Sequence, residues 1–391
     1  MRWAHEPAAI VMDGSIASPS ALSELLDEIA AAAPLHDRDG TFPAENFERL
    51  HEEGLLGWTV RASDGGREAG LRETAELIGA LGRACPSTAL VFAMQAIHHA
   101  AIAHNPAWPE RLRVIVGRSA AGCGALINAL RVEPVLGTPA RGGLPDTVAR
   151  RTGNGWSLSG RKIYATGAPG LTWMLVWART DEPAPRVGAF LARARSPGVR
   201  IEETWDHLGL RASCSHDVVF EDVALPLDHA IDLRPAGAPE RPDATQAAWT
   251  AASIGALYTG VARAARDWIV RFLHERAPSN LGASLATVPR IQEGVGTIEA
   301  LLAANARLIG SIATAHDRGE VLSATECGLL KNVIAENTIA AVERTVRLAG
   351  NYALSRSNPL ERHLRDVLCA RVHTPQADSA HLAAGRTALG I

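Results

Sequence analysis

The sequence predicts a fold in three parts: an all-α N-terminal domain, a small β domain in the middle, and a C-terminal four-helix bundle. Three observations predict it. Apolar stripes of helical period run from residue 20 to about residue 120. The texture then changes to short alternating runs punctuated by Gly and Pro, the mark of a small β domain. From Ala247 onward long helical stripes return and persist. The boundaries expected from these changes are residues 1–120, 121–233 and 234–391. A length of 391 residues suits two or three domains, and a 47% hydrophobic content can fill their cores.

Each element has a local reason. "SALSELLDEIAAAAPLHD" opens on a Ser that can cap a helix, with Leu22, Leu25, Leu26 and Ile29 on one face. "PAENFERLHEEGLLG" repeats the pattern and closes on Gly, a usual helix stop. "LRETAELIGALGRACPSTALVFAMQAIHHAAIAH" supplies more helix. The β domain is expected to use "GWSLSGRKIYATG", "WMLVWART", "VGAFLARA", "VRIEETWDHLGL" and "HDVVFEDVALP", and "RPAGAPERPDATQ" is a polar connection rich in Pro. Four long helical stretches follow, the last of them "NPLERHLRDVLCARVH". That helix is expected to stop at Thr374, because a residue before proline is driven out of the α region. His373 then sits at a helix C-terminus, where the dipole favours a protonated ring.

Composition removes several function classes. A net charge of -3 with 21% charged residues gives no field for nucleic acid or an anionic membrane. The apolar stretches are interrupted by charge or Gly well short of ~20 residues, so no membrane span is expected. "MRWAHEPAAIVMDGS" lacks the pattern of a secretory signal, which points to the cytoplasm. Five scattered Cys without C-x-x-C spacing read as buried free thiols rather than as disulfides or a zinc site. A metal centre is not expected from the 14 His, since His98, His99 and His104 make no i, i+4 pair with a carboxylate on one face and no Cys cooperates.

Three phrases carry a family resemblance over nearly the whole chain. "GRKIYATGAPG" (residues 160–170), "WDHLGLRASCSHDVVFEDVALP" (205–226) and "LERHLRDV" (360–367), in this order and domain texture, resemble the acyl-CoA dehydrogenase superfamily. The resemblance implies the acyl-CoA dehydrogenase fold. It also implies a flavin (FAD, with FMN possible), a small-molecule substrate and a homotetramer or homodimer in which one subunit helps hold its neighbour's flavin. It places Thr166 beside the flavin, through its hydroxyl or through exposed amides at a strand end, and Ser213 near the flavin or substrate. Arg276 and Gln292 match the pair that reaches the neighbour's FAD diphosphate and adenine, and Gly350 in "RLAGNYAL" lies in the matching loop, where Val346 replaces the family's usual Gln.

The chain departs from the family at its catalytic base. Counting nine residues from Arg365 reaches Thr374, and the alternative base position falls near Thr250 and Ala251; neither site carries a carboxylate. His373 adjoins the first vacancy, and the pattern is similar to the flavin monooxygenases of this fold, of the dibenzothiophene monooxygenase kind. Those enzymes use a histidine here and another on the N-terminal-domain helix, which selects His98 or His99; on one helix the two rings point about 100° apart, so only one can face a cavity. An imidazole can donate a hydrogen bond or move a proton near neutral pH. The expected activity is therefore a reduced-flavin/O2 monooxygenase acting on a small organic molecule, with a separate flavin reductase as a possible partner. Two alternatives stay open: an acyl-thioester dehydrogenase with a substitute base, and a non-catalytic binding protein.

Overall fold

The computed structural model describes residues 19–137, 143–238 and 244–391. The N-terminal part is helical: α1 (Pro19–Asp39), α2 (Ala44–Glu52), α3 (Leu71–Ala84), α4 (Pro86–His104) and α5 (Glu110–Cys123). Helix α1 starts at Pro19, one residue ahead of the Ser read as its cap. Helix α2 ends at Glu52, short of the Gly57 expected to stop it, because Gly54 already turns into the left-handed region (φ 71°), a conformation that costs glycine nothing. Helix α4 is apolar on all sides, and all but four of its 19 residues are buried, so it is the central rod of this part.

Among the described residues eight strands form the middle sheet: β1 (Leu126–Leu130), β2 (Val148–Arg151), β3 (Gly155–Lys162), β4 (Leu171–Thr180), β5 (Arg186–Arg193), β6 (Val199–Glu202), β7 (Asp217–Pro226) and β8 (Ala230–Pro235). Their order is β6-β7-β3-β2-β4-β5-β8, with β1 lying parallel to β4. The long strand β4 shows the alternation that made it legible, and its partner β5 pairs antiparallel from Trp173–Arg193 to Arg179–Val187. A buried ion pair ties β3 to the segment after β1: Lys162 Nζ lies 2.5 Å from Glu133 Oε1, which also accepts from the Thr147 hydroxyl at 2.6 Å.

The C-terminal part consists of α6 (Ala244–Glu275), α7 (Pro289–Asp317), α8 (Ala324–Ala349), α9 (Leu360–Leu368) and α10 (Ala377–Leu389). Three helices are long. The fourth is shorter than the sequence suggested: α9 ends at Leu368, a single 3-10 turn covers Cys369–Arg371, and His373 and Thr374 lie in a bend beyond it.

Helices α3 and α6 cross at very short range because both are stripped of side chains there. A Cβ on Gly82 would run into the Leu257 carbonyl oxygen, and one on Gly260 into the Gly79 carbonyl oxygen. The loop between β6 and β7 is pinned to α9 and α1. Leu210 N–H donates to Asp366 Oδ1 at 2.7 Å, and Arg365 holds both oxygens of Asp37 at 3.1 and 2.6 Å. Helix α7 has Ile298, Leu302, Asn305 and Ile312 buried, but it is long and apolar enough in composition to cross a membrane, which the sequence reading did not anticipate. Cys85, Cys214 and Cys327 are buried thiols as expected, whereas Cys123 is exposed at the end of α5.

Candidate functional site

Two clusters gather most of the residues singled out in the sequence. The first joins α4 to the β domain. Gly167, with φ +74°, seats its turn against α4, since a Cβ there would lie 2.9 Å from Val91 Cγ1. His98 follows Val91 by two helical turns and so shares its face. Its ring meets Asn128 of β1: Nε2 lies 3.1 Å from Asn128 Oδ1, and Asn128 Nδ2 donates to the Thr166 carbonyl at 3.0 Å. The Ala129 amide makes its shorter bond, 2.8 Å, to the same Oδ1. The same amide lies 3.1 Å from His98 Nε2, so Asn128 and Ala129 together hold that ring nitrogen. Burial, with Arg131 as a further cause, pushes the His98 pKa down to about 4, so the ring is neutral at pH 7.

His99 does not join this cluster. It is buried, its Nε2 has no partner, and burial pushes its pKa down to about 3. Of the neighbouring pair only His98 reaches the Thr166 turn, which resolves what helical geometry alone left open.

Thr166 is half-buried, four residues beyond the end of β3 rather than at a strand end. The exposed amides expected here are engaged internally: Thr166 N–H to Tyr164 O at 2.9 Å, Gly167 N–H to Ser213 O at 2.8 Å and Ala165 N–H to His216 O at 3.0 Å. The available group is instead the hydroxyl. Ser215 donates to Thr166 Oγ1 at 3.1 Å, so the Thr166 proton is free to point outward. Ser213 is fully buried and reaches this chain only through Ser215, at 2.8 Å. It supports Thr166 from behind.

The second cluster surrounds His373. Tyr258, deep in α6, bonds His373 Nε2 at 2.7 Å, the rings tilted by 47° with centroids 5.6 Å apart. Lys331 of α8 is almost fully buried, and its ammonium donates to the His373 carbonyl oxygen and, at 3.1 Å, to that of Pro375. Burial pushes the Lys331 pKa down to about 8, which still leaves it charged at pH 7. The same burial, together with this ammonium, pushes the His373 pKa down to about 3. The protonated ring expected from a helix C-terminus is therefore not found: His373 lies beyond the helix, next to a cation, and is neutral.

Arg276, Gln292 and Gly350 lie elsewhere, together at one end of the bundle. Arg276 is exposed just past α6 with its guanidinium 5.8 Å from the centre of the Tyr352 ring. Gln292 is exposed on the first turn of α7 and donates to Ala286 O at 3.0 Å. Gly350 caps α8 at φ 60°, ψ -135°, a region that only glycine occupies readily. The close packing of Gly294 on Leu348 brings these helix ends side by side. Along α6, Tyr258 and Arg276 are separated by about 27 Å at 1.5 Å per residue.

A cavity of about 2800 Å³ is an open groove between α1, α3, α6, α7 and α9 that includes Arg83, Arg263 and Arg362 but none of the residues of either cluster.

Three site residues escaped the sequence reading. Asn128 left one signal, a lone amide in the apolar run "LINAL". Lys331 left a similar one, a single charge within "CGLLKNVIA", and Tyr258 is the only tyrosine in α6.

Comparison with known proteins gives consistent matches. Residues 21–106, 132–223 and 252–376 match the family models of the acyl-CoA dehydrogenase N-terminal, middle and C-terminal domains. Putative acyl-CoA dehydrogenase YdbM of Bacillus subtilis (strain 168) is 32% identical over 363 residues, 92% of this chain and 93% of that protein. L-evernosamine nitrososynthase of Micromonospora sp. is also 32% identical, over 365 residues, 88% of this chain and 83% of that protein. Among solved structures, KijD3 in complex with FMN and dTDP-3-amino-2,3,6-trideoxy-4-keto-3-methyl-D-glucose superposes with a TM-score of 0.85 at 27% identity, covering 97% of each chain.

Proposed function

The chain belongs to the acyl-CoA dehydrogenase family, and from that premise we propose that it is a flavin-dependent monooxygenase which uses reduced flavin and O2 to oxygenate a small organic substrate. As a flavin-dependent oxidoreductase it takes FAD or FMN, and when bound the flavin supplies the redox chemistry. The side chains fit such a group. The outward Thr166 hydroxyl can donate to the polar edge of a flavin ring. The exposed Arg276 guanidinium, beside a Gly-only turn at Gly350, can grip a diphosphate. The roughly 27 Å between the His373 and Arg276 regions suits residues that serve flavins in two different subunits. The outward apolar face of α7 suits a homotetramer or homodimer.

One observation carries the choice of reaction. The bend that would bear the family's carboxylate carries a neutral His373 held by a phenol and an ammonium, and its pKa of about 3 makes it a poor base for a proton alpha to a thioester. A neutral imidazole is, by contrast, a good hydrogen-bond donor to oxygen. His98 and Asn128 add a second neutral polar pair against the Thr166 turn. These residues would orient substrate, exclude water and donate hydrogen bonds. The nitrososynthase relative at 32% identity supports an amine as the substrate class. The name of the Bacillus relative supports a second reading, thioester dehydrogenation, which the weak basicity of His373 opposes.

The test supplies the protein with enzymatically reduced FMN or FAD under ¹⁸O2, with amines that include the dTDP-3-amino sugar of the KijD3 complex. Incorporation of ¹⁸O into product is expected. Desaturation of an acyl-CoA without oxygen incorporation would contradict the reading.

A further inference from the structure

We propose that Tyr258 is the positioning residue of the site: it fixes His373 as the tautomer that carries its proton on Nδ1, so that the ring serves as a hydrogen-bond donor. Tyr258 is 1% exposed, and His373 Nε2, at 2.7 Å, is its one hydrogen-bond partner among the described residues. Two arrangements are open. If Nε2–H donated to the phenol oxygen, the phenol proton would have no acceptor in a dry environment, and a buried donor without a partner is costly. If the phenol donates to Nε2, its proton is used and only a second lone pair goes unfilled. The second arrangement wins. A neutral imidazole that accepts at Nε2 carries its hydrogen at Nδ1.

The ring cannot escape this by gaining a second proton, because the Lys331 ammonium beside it opposes a further positive charge. Lys331 also fixes the backbone on both sides of Thr374, through the carbonyls of His373 and Pro375. Ring and main chain are thus held from two helices, α6 and α8, and no carboxylate takes part. The inference deepens the monooxygenase reading, on which only its activity arm rests.

The test uses the full chain, labelled with ¹⁵N-histidine and loaded with FMN, with the His373 signals assigned by their loss in His373→Gln. Nδ1 is expected to show the shift of a protonated nitrogen and Nε2 that of an unprotonated one. Tyr258→Phe, which keeps the ring and removes the hydroxyl, is expected to give a mixture of tautomers while melting temperature and FMN content stay at wild-type values. Turnover of reduced FMN with the dTDP-3-amino sugar is expected to fall about 10-fold in Tyr258→Phe, and to fall no further when Tyr258→Phe is added to His373→Gln. A protonated Nε2 in the wild type, or an unchanged tautomer in Tyr258→Phe, would overturn the positioning role whatever the reaction proves to be. If the tautomer behaves as stated but the wild-type protein gives no turnover of reduced FMN with an amine, the monooxygenase reading fails and the positioning inference stands.

Discussion

At the scale of single residues, the candidate site is a set of neutral polar groups beside one buried ammonium, Lys331. Asn128 is the joint between α4 and the Thr166 turn, since it bonds His98 on one side and the Thr166 carbonyl on the other. Asn128→Leu, of similar size, should leave flavin bound and cut turnover by roughly 10²-fold, a loss typical of a misplaced acid–base group; turnover at the wild-type rate would remove His98 from the site. His99 should behave in the opposite way. Its buried Nε2 has no partner, so His99→Leu should raise the melting temperature and spare activity. The gain should grow in acid. His98, His99, His363 and His373 all have pKa values held at about 3 or 4 in the fold, against 6.5 unfolded. The unfolded chain therefore binds more protons below pH 6.5, and stability falls as pH drops through that window. Asp366, raised to about 6, works the other way but is one group against four. Melting temperature should drop by several degrees between pH 7 and pH 5, and His99→Leu should narrow that drop. Of these residues the sequence singled out His98, Thr166 and His373. Asn128, Tyr258 and Lys331 were not singled out, because a buried polar side chain reveals its partner only once the fold brings distant segments together.

At the scale of elements, the α3–α6 crossing governs the site. Gly79, Gly82 and Gly260 let the two backbones touch, and Tyr258 lies two residues before Gly260. Gly260→Ala drives a methyl into a carbonyl oxygen that has no room to move, an overpacking cost of about 1–3 kcal/mol. It should lower stability by that amount and also displace the Tyr258–His373 pair, so that turnover falls more than flavin content does. Periodicity made α1 to α4, α6 to α8 and the strands β3 to β7 readable, whereas α5 lay in a stretch read only broadly as helical. It missed β1, β2 and β8, whose four to six residues are too short to display alternation. It also overran α9: Leu, Arg and His continue the stripe past Leu368, but Lys331 takes the carbonyls of the following bend, and tertiary contact overrides local pattern.

At the scale of the whole molecule, the fold sets Tyr258, which holds His373, about 27 Å from Arg276 along α6. If Arg276 serves the diphosphate of a neighbour's cofactor, Arg276→Ala should weaken FAD by about 10-fold or more, as loss of a charge-assisted contact does, and leave FMN nearly unchanged. Equal weakening of both flavins would remove Arg276 from the cofactor site. The central claim is that a bend without a carboxylate, holding a neutral and weakly basic His373, has given up dehydrogenation for oxygen chemistry. Its most direct test is an anaerobic titration of the flavin-loaded, oxidised protein with saturated acyl-CoA thioesters of graded chain length, with no reductant present, read by the visible flavin band. The account predicts that the band persists with every thioester; rapid bleaching by any one of them would contradict it.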